Sequence, residues 1–89
     1  MSEEKTSLLK FPCEFPIKAM GYAKENFRAT VLAIVQQYAP EVTDSMLKIK
    51  ESKDGKYLSI TVTIQAQSQE QLDNIYLDLN ACDDVVMCL

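Results

Sequence analysis

Apolar and polar residues alternate with period two from Tyr57 to Gln65. Leu58, Ile60, Val62 and Ile64 fall on one side, and Tyr57, Ser59, Thr61, Thr63 and Gln65 on the other. That is the pattern of a strand with one face in a core and one face in water. The preceding run, Met46 to Ser52, alternates in the same way from Leu47 to Lys50, and the two are joined through Asp54-Gly55. Flanked by alternating apolar residues, this dipeptide is the strongest local signal for a two-residue hairpin of type I′, in which both central residues take positive φ. Pairing Lys53 with Lys56 and counting outward sets Ile49 opposite Ile60 and Leu47 opposite Val62, so the apolar side chains meet on one face. Lys48, Lys50 and Ser52 then share the other face with Tyr57, Ser59, Thr61, Thr63 and Gln65.

The same reading extends in both directions. Phe15 to Tyr22 is a strand with Phe15, Ile17 and Ala19 inward and Lys18, Met20 and Tyr22 on the opposite face, Pro16 being tolerated near its start. From Lys24 to Ala39 the period lengthens. Phe27, Val31, Ile34, Val35 and Tyr38 fall within an arc of about 100°, a core-facing helical stripe, and Pro40 ends the helix. Ser68-Gln69-Glu70-Gln71 is a capping box in which the Gln71 side chain is expected to answer to the N–H of Ser68. Leu72, Ile75, Tyr76 and Leu79 form a second stripe, Asp83-Asp84 a loop, and Val85 to Leu89 a last strand. Two amphipathic helices must bury their stripes against one face of four strands. The order β-α-β-β-α-β with right-handed crossovers therefore predicts an α+β, ferredoxin-like two-layer sandwich with a four-stranded antiparallel sheet in the order 4-1-3-2. The first hairpin strand is then an edge, the second is central, and the other sheet face has no helix to cover it.

Composition narrows the functional classes. Eighty-nine residues supply one core, expected over 11–89 behind a loose tail of residues 1–10. A net charge of −4 argues against broad nucleic-acid or anionic-membrane binding. The N-terminus has no basic stretch followed by an apolar one, and the longest apolar runs span five residues, Val31–Val35 and Val85–Leu89, so the chain reads as cytoplasmic. Cys13, Cys82 and Cys88 lack metal-ligand spacing and no histidine is present, which leaves no zinc set, no cofactor signature and no base for a serine or cysteine nucleophile. The cysteines read as ordinary reduced thiols, with an exposed Cys13 as the one redox candidate. Asp83-Asp84 reads as a solvated turn. Acylphosphatase-like chemistry would call on Arg28, the only arginine, which sits near the boundary of the first apolar stripe. No catalytic residue is assigned, and the chain is expected not to be an enzyme.

What remains is a surface. Lys48, Lys50, Lys53 and Lys56 put four of the eight lysines into nine residues. Lysines on an edge strand commonly guard it against pairing with other chains; the functional reading is the docking of an acidic partner or anionic ligand beside Lys18 and Thr61. Met20-Gly21-Tyr22, between first strand and first helix, is the second candidate, because glycine permits close approach or positive φ and a helix N-terminus can receive an anion. The candidate surface is thus Lys18, Met20, Gly21, Tyr22, Lys48, Lys50, Tyr57, Ser59, Thr61 and Thr63. Single-stranded RNA on the open face is an alternative, but the basic-aromatic signature of RNA-recognition strands is missing.

Taken together, several of these residues resemble one family. Phe11-Pro12, Phe15, Lys18, Met20-Gly21, Ala39-Pro40, Ser52-Lys53, Gly55, Tyr57, Ser59, Ala66, Glu70-Gln71, Tyr76 and the ending Val85, Met87, Leu89 are similar to the YbeD-like family of small uncharacterised bacterial cytosolic proteins, over nearly the whole chain from Leu8. The resemblance implies a ferredoxin-like fold akin to ACT regulatory domains, which bind small molecules, often amino acids, at subunit contacts. It carries over no catalytic residue and attaches no role to the cysteines. Members are often encoded near genes of lipoate assembly, which implies that metabolic context. The expectation is a non-enzymatic binding or regulatory domain that senses a small anionic or amino-acid-like ligand, with a homodimer, or docks a protein partner.

Overall fold

The computed structural model describes residues 10–89. The tail expected over residues 1–10 lies outside the described residues except for Lys10, which is exposed. The elements are β1 (Cys13–Tyr22), α1 (Phe27–Tyr38), a 3-10 turn (Asp44–Met46), β2 (Lys48–Glu51), β3 (Tyr57–Ala66), α2 (Gln69–Ala81) and β4 (Val85–Cys88). The sheet runs β2-β3-β1-β4 with every neighbouring pair antiparallel, the expected ferredoxin-like order read from the other edge.

β1 and β3 form the backbone of the fold, paired without interruption from Cys13 opposite Ala66 to Tyr22 opposite Tyr57. Their inward residues Ile17, Ala19, Ile60, Val62, Ile64 and Ala66 are fully buried together with Phe27, Val31 and Val35 of α1 and Leu72, Ile75 and Leu79 of α2. Lys18 exchanges both backbone hydrogen bonds with Leu89 (3.0 and 2.8 Å). By the alternation of an antiparallel ladder, Pro16 therefore turns its donor-less nitrogen to the same side, just beyond the last residue of β4.

Three local expectations are corrected. Gly55 (φ 72°) has the only positive φ among the described residues, so Asp54 does not, and the turn is not type I′. Ser52 O accepts from Gly55 N–H at 3.0 Å. The Asp54 carboxylate accepts from the Ser52 hydroxyl (2.7 Å) and from Lys56 N–H (3.1 Å), and Ser52 Oγ accepts from Tyr57 N–H (3.0 Å). An aspartate that bonds the backbone two residues on stabilises this alternative turn. The register survives, with Ile49 opposite Ile60. Second, α1 starts at Phe27 and not at Lys24, because Lys24 N–H is turned onto Tyr22 O (2.7 Å) and Lys24 O takes Phe27 N–H (3.1 Å). Third, Ser68 caps α2 by accepting from Gln71 N–H (3.1 Å), but Gln71 Oε1 accepts from Gln67 N–H (2.7 Å) and not from Ser68. Gln71 Nε2 meanwhile donates to Tyr38 O (2.7 Å), so one side chain satisfies the start of α2 and the end of α1.

Candidate functional site

The uncovered face of the sheet follows from the register. Lys50, Ser59, Met20 and Met87 form one row across β2, β3, β1 and β4, and Lys48, Thr61, Lys18 and Leu89 form the next. Side chains alternate across a strand, so both rows point away from the helices. Beyond them Tyr22 and Tyr57 stack, ring centroids 5.4 Å apart and planes inclined by 29°. Thr63 sits opposite Pro16 at the other end of β3 and is exposed.

Nine of the ten candidate residues thus come together on one surface. Gly21 does not. It is buried on the helix side, where a Cβ would fall well inside contact of the Asp84 carbonyl oxygen and lie 2.6 Å from Phe27 Cζ. Its φ is not positive, so the glycine serves the close approach alone, and the space a ligand would need is filled by the chain itself.

Lys18, Lys48 and Lys50 surround a hollow of about 350 Å³ whose floor carries Ser59 and Thr61 and whose rim includes Ile49. A second hollow of about 250 Å³ adjoins it toward Met20 and Tyr57. Both are open troughs in the sheet surface. Among the described residues the ion pairs are Lys24 with Asp84 (3.0 Å) and Arg28 with Asp44, so the three lysines of the trough have no carboxylate within 4.0 Å. Ile49 was expected to face the core and is 39% exposed, because β2 lies at the sheet edge. Negative charge gathers elsewhere. α2 carries Glu70, Asp73 and Asp78 and no lysine or arginine.

Other candidates fall away from this surface. Arg28 is held by Asp44, through Nε (2.7 Å) and Nη2. Lys24, on the turn before α1, is held in its charged form by the hydrogen bond to Asp84, which raises its pKa. Cys13 is half-buried against the core and not exposed as expected. Burial pushes the Cys88 thiol up, and its Sγ donates to Asn80 Oδ1 at 3.3 Å. Tyr38 and Tyr76 are half-buried and packed against the core; the Tyr38 hydroxyl donates to Asp78 (2.7 Å), which raises its pKa. Missing from the sequence reading were Met87 (49% exposed) and Leu89 (67%), which complete the rows on β4. Their signal was the pairing of the last strand with Lys18 and Met20, which only the register reveals.

Residues 6–89 match the family described as "Protein of unknown function (DUF493)", which bears out the family resemblance in the sequence. The chain is 47% identical over 89 residues to a UPF0250 protein of Nitrosomonas europaea and 42% identical over 89 residues to one of Chromobacterium violaceum, each alignment covering 100% of both chains. The solution structure of protein HP0495 from H. pylori superposes with a TM-score of 0.70 at 19% identity, covering 91% of this chain and 85% of that one. This supports the fold alone. No helix among the described residues is long and apolar enough to cross a membrane.

Proposed function

We propose that this chain, which belongs to the family of proteins of unknown function DUF493, acts by binding and not by catalysis, and that its open sheet face docks an acidic protein partner. One observation carries the reading. Two strands deliver three lysines, Lys18 from β1 and Lys48 and Lys50 from β2, to a single hydroxyl-floored trough, without carboxylate partners among the described residues, in a chain whose net charge is −4. Lysines that only guarded an edge would be confined to β2, yet Lys18 stands on a central strand. The trough's shape favours a protein surface over a small ligand, since small-molecule sites enclose most of their ligand. Met20 and Tyr22 offer apolar contact beside the charges, the mixture found at protein interfaces.

The test is affinity capture from native cytosol with the wild-type chain and with a Lys48→Glu, Lys50→Glu variant. The variant should lose a specifically captured acidic protein while keeping its thermal midpoint. Capture that is indifferent to the reversal sinks the reading. Retention of single-stranded RNA at low salt, lost in the same variant, would transfer the face to nucleic acid.

A further inference from the structure

We propose that the side of the molecule formed by β4 and the outer flank of α2 is the interface for a second copy of this chain, related by a two-fold axis normal to the sheet. The two edges of the sheet are built differently. β2 presents Lys48, Lys50 and Glu51, all exposed, the usual protection of an edge. β4 presents Val86, Met87 and Leu89, exposed by 49%, 49% and 67%, with no charged side chain from Val85 onward. Because Leu89 gives its backbone N–H and C=O to Lys18, the neighbouring Cys88 turns its own pair outward.

The apolar surface continues onto the helix layer. Cys88 Sγ reaches Asn80 on α2, and on that same flank stand Tyr76, whose phenol is pushed up by burial and by Cys88, and Leu77, 64% exposed, with Asp73 the one charged residue beside them. Four of the seven large exposed hydrophobics among the described residues, Leu77, Val86, Met87 and Leu89, therefore lie along one side. Together they expose on the order of 400 Å², the size of the largest apolar patch on a typical monomer, which is often functional. Each partner of a stable pair buries roughly 800 Å², so the strand backbone and the flank of α2 are required to supply the remainder.

The occupant is a second copy because the surface complements itself. An antiparallel pairing of β4 with its equivalent sets apolar residues opposite apolar residues at every position from Val85 to Leu89, and the nearby Asp84 is neutralised by Lys24. The two-fold brings Leu77 of each α2 toward the other. It also joins two four-stranded sheets into one of eight, with both lysine troughs on the same face.

Sedimentation and light scattering from micromolar to sub-millimolar concentration should give twice the chain mass of 10.1 kDa. Met87→Lys places on β4 the kind of guard that Lys50 supplies in the same row, and Leu77→Lys charges the helix flank without touching the core. Each variant should fold, by circular dichroism, and sediment as a single chain. A wild-type chain that stays monomeric throughout, or an assembly that withstands either substitution, overturns the interface whatever the lysine trough binds.

Discussion

Gly21→Ala isolates the closest packing in the fold. Gly21 does not need positive φ, so alanine would gain roughly 0.4–1 kcal/mol by restricting the unfolded chain. Against this stands the added methyl, which meets the Asp84 carbonyl oxygen and the edge of the Phe27 ring, its Cζ at 2.6 Å. Phe27 is fully buried, and a carbonyl cannot rotate out of the way as a side chain can. Overpacking of this kind costs about 1–3 kcal/mol. With a backbone atom among the obstacles the upper part of that range applies, leaving a net loss of about 2 kcal/mol. For a domain of this size that lowers Tm by roughly 8–16 °C. Thermal and urea melts followed by circular dichroism measure it, and a Phe27→Leu partner in a double-mutant cycle divides the cost between ring and carbonyl. Phe27→Leu should restore only part of the loss. A Gly21→Ala protein with wild-type Tm, or one fully rescued by the ring substitution, would show that the Asp84 carbonyl is not the obstacle.

Gln71→Ala should cost about 1–2 kcal/mol in urea unfolding, because it leaves Gln67 N–H at the start of α2 and Tyr38 O at the end of α1 without their partner; Gln71→Glu, which keeps an acceptor but no donor, should recover part of it, and an alanine variant as stable as wild type would refute the bridge. Asp54 is held below the usual carboxylate range by the Ser52 hydroxyl and then by Lys56 N–H. Its contribution is therefore complete above about pH 4 and is lost as pH falls through the depressed folded value. Tm of Asp54→Asn should accordingly fall less steeply on acidification than that of wild type, and parallel curves would contradict the assignment.

Strand and helix identity were legible because each element carries its own period, and the register because Ile49, Leu58, Ile60 and Val62 agree on one face for only one pairing. The turn type was not legible. Asp54-Gly55 suits two turns, and the choice fell to Ser52, whose hydroxyl links the Asp54 carboxylate to Tyr57 N–H. The partner of Gln71 Nε2 lies 33 residues away on α1, beyond any local pattern. Most of the candidate surface could be read from strand parity alone. Gly21 was misplaced because a glycine has no side chain to declare a face, and its reason lies in Phe27 and Asp84, which only the folded chain brings to it. Exposure of Ile49 and the alignment of Leu77 with β4 depend on where the helix layer ends, and no periodicity encodes that.

The separation of charge between the two layers bears on motion as well as on binding. Lysines 18, 48 and 50 stand on one side and Glu70, Asp73 and Asp78 belong to the helix layer on the other, so the domain behaves as an oriented dipole that carries net negative charge. In the field of an acidic surface it is turned before contact, with the sheet leading and α2 trailing, so that fewer encounters are wasted on the wrong face. In the proposed complex with an acidic partner, the sensitivity to ionic strength then belongs to the speed of arrival, with its lifetime left to the short-range contacts of the troughs and of Met20.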